Sequence, residues 1–177
     1  SNLTFSMFKM MDCFFKPFLP KEATLQHRRV GDKPIPDERK ARIGELVEPW
    51  FCFSLVWTIG ATCDNDSRKK FSVWMRETCK KANIEMPFPE AGLVYDYKLD
   101  DAGISMPAQE EEEEEELKSR KVEWQGWMSQ LPEFIIQPET KYSDIIVPTM
   151  DTVRSSHILE MLLVNKKTVV CVGPTGT

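Results

Sequence analysis

The sequence TVVCVGPTGT at residues 168–177 decides how the rest of this chain is interpreted. Its first half is apolar and mostly β-branched, a composition typical of a buried strand. Five residues that suit a tight loop follow that strand: Gly173, Pro174, Thr175, Gly176 and Thr177. A phosphate-binding P-loop starts in this way, since its pattern is a glycine, four variable residues, and then Gly-Lys with Ser or Thr. The stretch therefore predicts a strand and the first half of a P-loop, although any glycine turn after a strand also fits it.

The two halves of a P-loop have different chemical tasks. Backbone N–H groups of the loop bind phosphate oxygens, whereas the lysine neutralises the terminal phosphates and the hydroxyl after it holds Mg²⁺. The sequence contains the first half but neither that lysine nor that hydroxyl. We therefore expect this chain alone to contain no catalytic residue, not to hydrolyse ATP, and to bind no nucleotide tightly.

The segment before the strand indicates an extended piece followed by a helix. Residues 145–148 are apolar and end in a proline, and Thr149 or Asp151 can cap a helix over about residues 152–164. Asp151 and Arg154 are three positions apart, a spacing that favours an ion pair on the helix surface rather than a catalytic role.

The first third of the chain shows helical periodicity. Apolar residues at positions 3–14 recur at helical spacing, and their neighbours widen the apolar face so far that the helix should be buried on most sides. Asp37 can cap a second helix, which Pro49 should break or kink. The apolar run at residues 50–60 fits a buried strand or a buried helix; its length and the glycine at its end, Gly60, favour a helix.

An amphipathic helix follows that run. Residues 64–67 form a polar loop with a capping residue at its end, and Phe71, Trp74 and Met75 then lie at helical spacing. Helices joined by so short a connection pack against each other. We therefore expect Trp74 and Trp57 of the preceding helix to share one buried core.

Beyond these helices the pattern becomes extended. Residues 93–99 alternate as in a strand, and residues 122–128 form a second extended piece whose two tryptophans, Trp124 and Trp127, should lie in the core of a hairpin. The excursion between them contains seven consecutive glutamates, residues 110–116. Such a run is either an acidic arm for a basic partner or a disordered, solvated loop, and its self-repulsion favours the loop.

Composition and charge exclude several classes of function. The net charge is −5, the opposite of the basic excess that nucleic-acid-binding proteins show. No apolar stretch reaches the ~18 residues of a membrane-spanning helix, and the N-terminus lacks the basic region of a signal peptide. We therefore expect neither a nucleic-acid nor a membrane partner.

The cysteines and histidines give no sign of a metal centre. The five cysteines are odd in number and lack paired spacing, and Cys13, Cys52 and Cys171 have apolar neighbours. This pattern predicts buried free thiols rather than disulfides or zinc ligands. The two histidines, His27 and His157, have no matched nucleophile and acid nearby in the sequence. We expect no metal ligand among these residues.

Four blocks of the chain, taken in order and with their spacing, resemble the dynein heavy chain. The blocks are FSLVWTIGATCDNDSRKKF (53–71), GLVYDYKLD (92–100) with the two tryptophans, YSDIIVPTMDTVRSSHILEMLL (142–163) and VVCVGPTGT (169–177). They look like the junction between the second and third AAA+ modules of the motor ring. Residues 1–50 match more loosely, and the sequence detail is closer to axonemal than to cytoplasmic dyneins.

The resemblance implies a mainly α fold with a β-hairpin insertion. Residues 1–86 would form an AAA+ small helical domain, and residues 87–141 a hairpin and linker with a disordered acidic loop at about 100–120. Residues 142–177 would be the first α/β unit of the next AAA+ large domain, made of a helix, a strand and the start of its P-loop.

The resemblance also implies a function. Ile146, Val147 and Pro148 would pack on adenine, since a flat base needs an apolar wall. With residues 173–177 they would form part of a regulatory nucleotide site, which takes ATP or ADP with Mg²⁺ in the full-length heavy chain. That protein would be an ATP-driven, minus-end-directed microtubule motor of the ciliary or flagellar axoneme, part of the cytoskeleton.

The expected partners are the rest of the dynein motor ring, microtubules and other dynein subunits. Two alternatives remain open at this point. The chain could be a standalone structural or interaction module, or the beginning of an unrelated P-loop NTPase.

Overall fold

The computed structural model describes residues 2–19, 35–105, 119–129 and 147–170. Its helices and strands follow one another as α1 (Asn2–Phe15), α2 (Asp37–Ala41), α3 (Gly44–Thr58), α4 (Asn65–Lys81), β1 (Tyr97–Asp100), β2 (Glu123–Gly126) and α5 (Met150–Val164). The chain divides into two compact units, residues 1–126 and residues 127–177. The predicted mainly helical fold with a hairpin is thus confirmed, while the division into 1–86, 87–141 and 142–177 stays a prediction.

Helix α1 packs against α3 through a single stripe. Met7, Met10 and Cys13 are buried at helical spacing, whereas Phe5 and Phe8 are 62% and 58% exposed. The expectation that this helix is buried on most sides was wrong in this structure. Among the described residues of the first unit, α1 packs mainly on α3, and its apolar residues Leu3, Phe5 and Phe8 are exposed.

The centre of the first unit is built around Trp50 of α3. Trp50 is 2% exposed and clusters with Leu46 and Ile104, both fully buried. The ring of Phe14 stacks on it at 5.3 Å between centroids, and that of Phe15 meets it edge-on at 5.2 Å. Aromatic pairs at such distances add to the free energy gained by burial.

The burial of Ile104 corrects the expected extent of the acidic loop, which was placed at about residues 100–120. Residues 101–105 form a turn that docks on the core. Arg39 of α2, itself 5% exposed, donates from Nη1 to the carbonyl oxygen of Gly103 at 2.8 Å. The glutamate run at residues 110–116 lies outside the described residues.

Of the two predicted effects of Pro49, a break or a kink, the break does not occur in the structure. α3 runs from Gly44 through Pro49 to Thr58. A proline in a helix interior costs about 3 kcal/mol, because it removes one hydrogen bond and crowds the preceding turn. Here Pro49 lies near the beginning of α3, and Leu46, Trp50 and Phe53 on the same helix are all buried. The free energy gained by burying these three side chains exceeds the cost of the proline.

The connection between α3 and α4 begins and ends differently from the prediction. Asp64 is the N-cap of α4 and accepts from the backbone N–H of Ser67 at 2.8 Å, so residues 65–67 are already helical. Gly60 does not end α3 in a left-handed conformation; it begins a 3₁₀ turn, Gly60–Thr62. A Cβ at Gly60 would lie 2.7 Å from the hydroxyl oxygen of Tyr95, which explains the need for glycine.

Trp57 and Trp74 do not share a buried core in the way that the sequence suggested. The buried residues of α4 are Ser72, Met75 and Cys79, a stripe that leaves Trp74 49% exposed. Trp74 contacts Phe71, whereas Trp57 is half-buried and meets Tyr95 edge-on at 5.9 Å. The helix is rotated from the predicted orientation because the small polar residue Ser72 faces inward.

Ser72 faces inward because it anchors the segment after α4. Its hydroxyl oxygen accepts from the backbone N–H of Val94 at 3.1 Å and from Arg76 at 3.1 Å. Arg76 also donates to the carbonyl oxygens of Pro89, at 2.7 Å, and Gly92, at 3.0 Å. One arginine on α4 thus holds the backbone that leads into the hairpin.

The hairpin strands are shorter than predicted. β1 pairs antiparallel with β2, and Leu99 lies opposite Trp124. Residues 94–96 form a 3₁₀ turn instead of a strand, since Val94 and Tyr95 are adjacent and both buried. Trp124 lies in the core, as predicted, and its ring stacks on Phe88 at 4.1 Å between centroids.

The prediction of free thiols is confirmed for the cysteines that the structure describes. Cys13, Cys52 and Cys79 are buried and unbridged, and Cys63 is free and partly exposed. Cys171 lies outside the described residues.

The positions of Trp50 and Trp74 predict very different losses of stability when each is replaced by alanine. Trp50→Ala should lower the free energy of unfolding by about 3–5 kcal/mol, because it empties a buried aromatic site. Trp74→Ala should lower it by less than about 1 kcal/mol, since half of that ring already contacts water. Urea unfolding of the two variants measures both values, and equal losses would contradict the packing described here.

The cap of α4 predicts a pH dependence. Hydrogen bonds from Ser67 hold the pKa of the Asp64 carboxyl below its usual value of 3.8. A carboxyl with a lowered pKa stabilises the fold above its unfolded pKa, and this contribution disappears as the pH falls through the folded pKa. Asp64→Asn removes the charge but keeps a capping oxygen. Urea unfolding between pH 5 and pH 2 should show the wild type losing more stability than the variant; parallel losses would contradict this role of Asp64.

Candidate functional site

Helix α5, in the second unit, begins at a well-formed cap. The Thr149 side chain accepts from the backbone N–H of Thr152 at 3.2 Å, and the backbone N–H of Thr149 donates to Thr152 Oγ1 at 2.8 Å. This reciprocal pair satisfies donors that a helix N-terminus otherwise leaves open. Of the two residues predicted as caps, Thr149 has this role, and the helix begins two residues earlier than expected, at Met150.

The structure describes only two of the predicted site residues. Val147, which is 56% exposed, and Pro148 lie in the non-helical segment directly before the cap. Ile146 and the five predicted P-loop residues, Gly173, Pro174, Thr175, Gly176 and Thr177, lie outside the described residues. The structure therefore places Val147 and Pro148 directly before α5, and the nucleotide site as a whole, adenine wall and phosphate loop, stays a prediction.

The strand before the loop is not formed in the part that the structure describes. Residues 167–170 have no strand assignment, and Val170 is 79% exposed. An apolar, β-branched segment becomes a strand only when a neighbouring strand satisfies its backbone groups. Residues 171 and 172 of the predicted strand are not described.

An open groove runs along α5 from Pro148. Its volume is about 390 Å³, it is largely open to solvent, and it is lined by Pro148, Thr152, Val153, Ser156, His157 and Glu160. Pro148 and Val153 supply apolar surface, while hydroxyl, imidazole and carboxylate groups supply hydrogen-bonding atoms.

Sequence reasoning did not find most of this groove. Thr152, Ser156 and Glu160 are four residues apart, so they lie in a row on one helical face. That spacing is the signal in the sequence that could have predicted this polar row. His157, for which the sequence predicted no catalytic role, lies beside this row.

The imidazole of His157 has an aromatic neighbour. The Trp127 ring meets it edge-on, with 5.2 Å between centroids. Trp127 is 2% exposed, so it is buried as expected. It lies in a turn after Gly126, whereas the sequence had predicted it within the second hairpin strand. This contact restricts the orientation of the His157 ring at the groove wall.

Asp151 and Arg154 form the predicted ion pair. The Arg154 guanidinium contacts the Asp151 carboxylate one turn earlier on α5, and the side chain of Asp151 is 78% exposed. A carboxylate in the first turn also interacts favourably with the helix dipole. The pair stabilises the beginning of the helix.

Two absences hold for the described part of the chain. None of its helices combines the length and apolar character that crossing a lipid bilayer requires. In the same residues, no group of three or more His, Cys, Asp or Glu side chains is arranged to hold a metal ion.

Two family models match the chain. The dynein heavy chain AAA lid domain matches residues 1–107. The P-loop containing dynein motor region matches residues 134–177, which excludes the alternative of an unrelated P-loop NTPase.

Similar proteins support the same assignment. The chain is 52% identical over its whole length to mouse dynein axonemal heavy chain 1, and 53% identical over 99% of its length to the human protein of that name. It is 34% identical over 72% of its length to mouse dynein axonemal heavy chain 12. The chain spans about 4% of the length of each of these relatives.

No solved structure matches the chain significantly. The lid-domain match alone covers more than half of the residues and includes α1 to α4 and strand β1 of the first unit. The chain therefore belongs to the dynein heavy chain family.

Proposed function

We propose that this chain is part of the motor ring of an axonemal dynein heavy chain, an ATP-driven, minus-end-directed microtubule motor in the axoneme of cilia or flagella. The observation that carries the proposal is the identity along the whole chain to dynein axonemal heavy chain 1. The partners would be the rest of the ring, microtubules and other dynein subunits, with no nucleic acid and no membrane.

Within that ring, the chain would supply part of a regulatory nucleotide site. Val147 and Pro148 lie directly before α5, and Pro148 also lines the groove along that helix. This arrangement supports a site in which Ile146, Val147 and Pro148 contact adenine. The residues from Gly173 to Thr177 would then contact the phosphates through their backbone N–H groups.

The exposure of the second unit supports its role as part of a larger module. Leu163 and Val164 at the end of α5 are each 61% exposed, and Val170 is 79% exposed. In the motor ring, other strands of the module would cover these side chains, and residues 168–172 would join their sheet. The remaining P-loop residues would come from the same heavy chain, with Mg²⁺ accompanying ATP or ADP.

The site by itself would be weak and not catalytic. The 177 residues contain neither the P-loop lysine nor the hydroxyl that holds Mg²⁺. The test of this proposal therefore uses a dynein heavy chain that includes this segment.

Photoaffinity labelling with an 8-azidoadenine nucleotide tests the adenine contact directly. The probe should label the peptide that contains residues 146–148, and excess ATP should compete with it. Val147→Asp should reduce this labelling by about tenfold or more, because a charge on the apolar wall costs upwards of 1.4 kcal/mol of binding free energy.

Val73→Asp is the matched control. Val73 lies on α4 and is 58% exposed, close to the 56% of Val147, so the same change should leave labelling unaltered. Absence of label from residues 146–148 in the wild type, or equal loss in both variants, would contradict the proposed site.

A further inference from the structure

Two cysteines that are distant in the sequence meet in the first unit. Cys52 of α3 and Cys79 of α4 have their sulfur atoms 4.0 Å apart. Both residues are 2% exposed. They are therefore a buried pair of thiols, and neither belongs to the groove on α5.

Helix packing, not sequence proximity, brings these thiols together. Cys52 and Val56 lie one turn apart on the buried face of α3, and Met75 and Cys79 lie one turn apart on that of α4. Because both helices turn these faces toward the core, the two sulfur atoms point toward each other across the interface.

We propose that Cys52 and Cys79 form a redox-sensitive dithiol, which a low-molecular-weight disulfide oxidises to a disulfide bond between α3 and α4. This inference concerns the first unit only and does not depend on the proposed nucleotide site.

Bond formation requires the two sulfur atoms to move toward each other. A disulfide has an S–S distance of about 2.05 Å, so the sulfur atoms would approach each other by about 2 Å from their present 4.0 Å. The two side chains share this movement, and rotation about each Cα–Cβ bond displaces the sulfur without displacing the helix axis.

The two sulfur atoms differ in their readiness to react. Their hydrogen bond lowers the pKa of the Cys79 thiol and raises the pKa of the Cys52 thiol. A thiolate is the attacking species in thiol–disulfide exchange. In the proposed reaction Cys79 is therefore the thiol that attacks first, and Cys52 attacks second.

The reaction balances in two exchange steps. The Cys79 thiolate attacks one sulfur of oxidised glutathione, forming a mixed disulfide and releasing one glutathione thiolate, which takes a proton. Cys52 then loses its proton and attacks the Cys79 sulfur, which forms the protein disulfide and releases the second glutathione. Two protein thiols lose two electrons in total, and the glutathione disulfide is reduced to two thiols.

The bond would stiffen the connection between the helices. It would close a loop that includes the turn at Gly60 and the cap at Asp64, and closing a loop of this size restricts the unfolded chain. We expect the melting temperature to rise by about 10 °C on oxidation. Because both thiols are buried, exchange proceeds through local opening and should be slow.

The experiment equilibrates the 177-residue chain in glutathione redox buffers of increasing oxidised fraction. A urea concentration below the unfolding transition accelerates access to the buried thiols, and circular dichroism verifies that the chain stays folded. Free thiols are alkylated, and peptide mapping by mass spectrometry without reduction then identifies which cysteines are linked. Melting is followed on the same samples.

The expected result is a linked peptide pair that contains Cys52 and Cys79, together with the higher melting temperature. Cys52→Ser and Cys79→Ser should each abolish both effects. Cys13→Ser and Cys63→Ser serve as matched controls and should leave both unchanged. The proposal is overturned if Cys52 and Cys79 stay alkylatable at equilibrium in the most oxidising buffer, or if they pair with other cysteines instead of with each other.

Discussion

The first unit depends on the close approach of Tyr95 to Gly60. The Tyr95 hydroxyl donates to the Gly60 carbonyl oxygen at 2.7 Å, and burial raises the pKa of that hydroxyl. Its ring lies against Trp57 and Phe71, one from each helix of the α3–α4 pair. One side chain therefore fixes the end of α3, the beginning of α4 and the segment that leads into the hairpin.

Local sequence patterns predicted the helices but not how they are oriented. Periodic apolar residues placed α1 and α4. The length of an apolar run placed α3, and a possible cap at Thr149 or Asp151 placed α5. Pro49 was misjudged because its local cost is offset by the burial of Trp50, which contacts residues far away in the sequence. Trp74 was misjudged because Ser72 faces inward to bind the backbone of Val94, a contact that no periodicity reveals.

The candidate site was predictable only in part, for a related reason. The proline before the cap and the i, i+4 row along α5 are local features that a sequence can show. The contact between His157 and Trp127 joins residues 30 positions apart, and the Cys52–Cys79 pair depends on packing between two helices. The proposal that residues 146–148 contact adenine came from the resemblance to dynein, and the structure shows a groove on α5 that Pro148 lines.

Substitution of Gly60 tests the central constraint most directly. A Cβ there would lie 2.7 Å from the Tyr95 hydroxyl oxygen and 2.8 Å from the Phe71 ring, whereas a Cβ at Gly44 would meet nothing within 4 Å. In urea unfolding, Gly60→Ala should lower the free energy of unfolding by about 1–3 kcal/mol. Gly44→Ala should leave it unchanged or raise it by up to about 1 kcal/mol. Equal stability of the two variants would contradict the account.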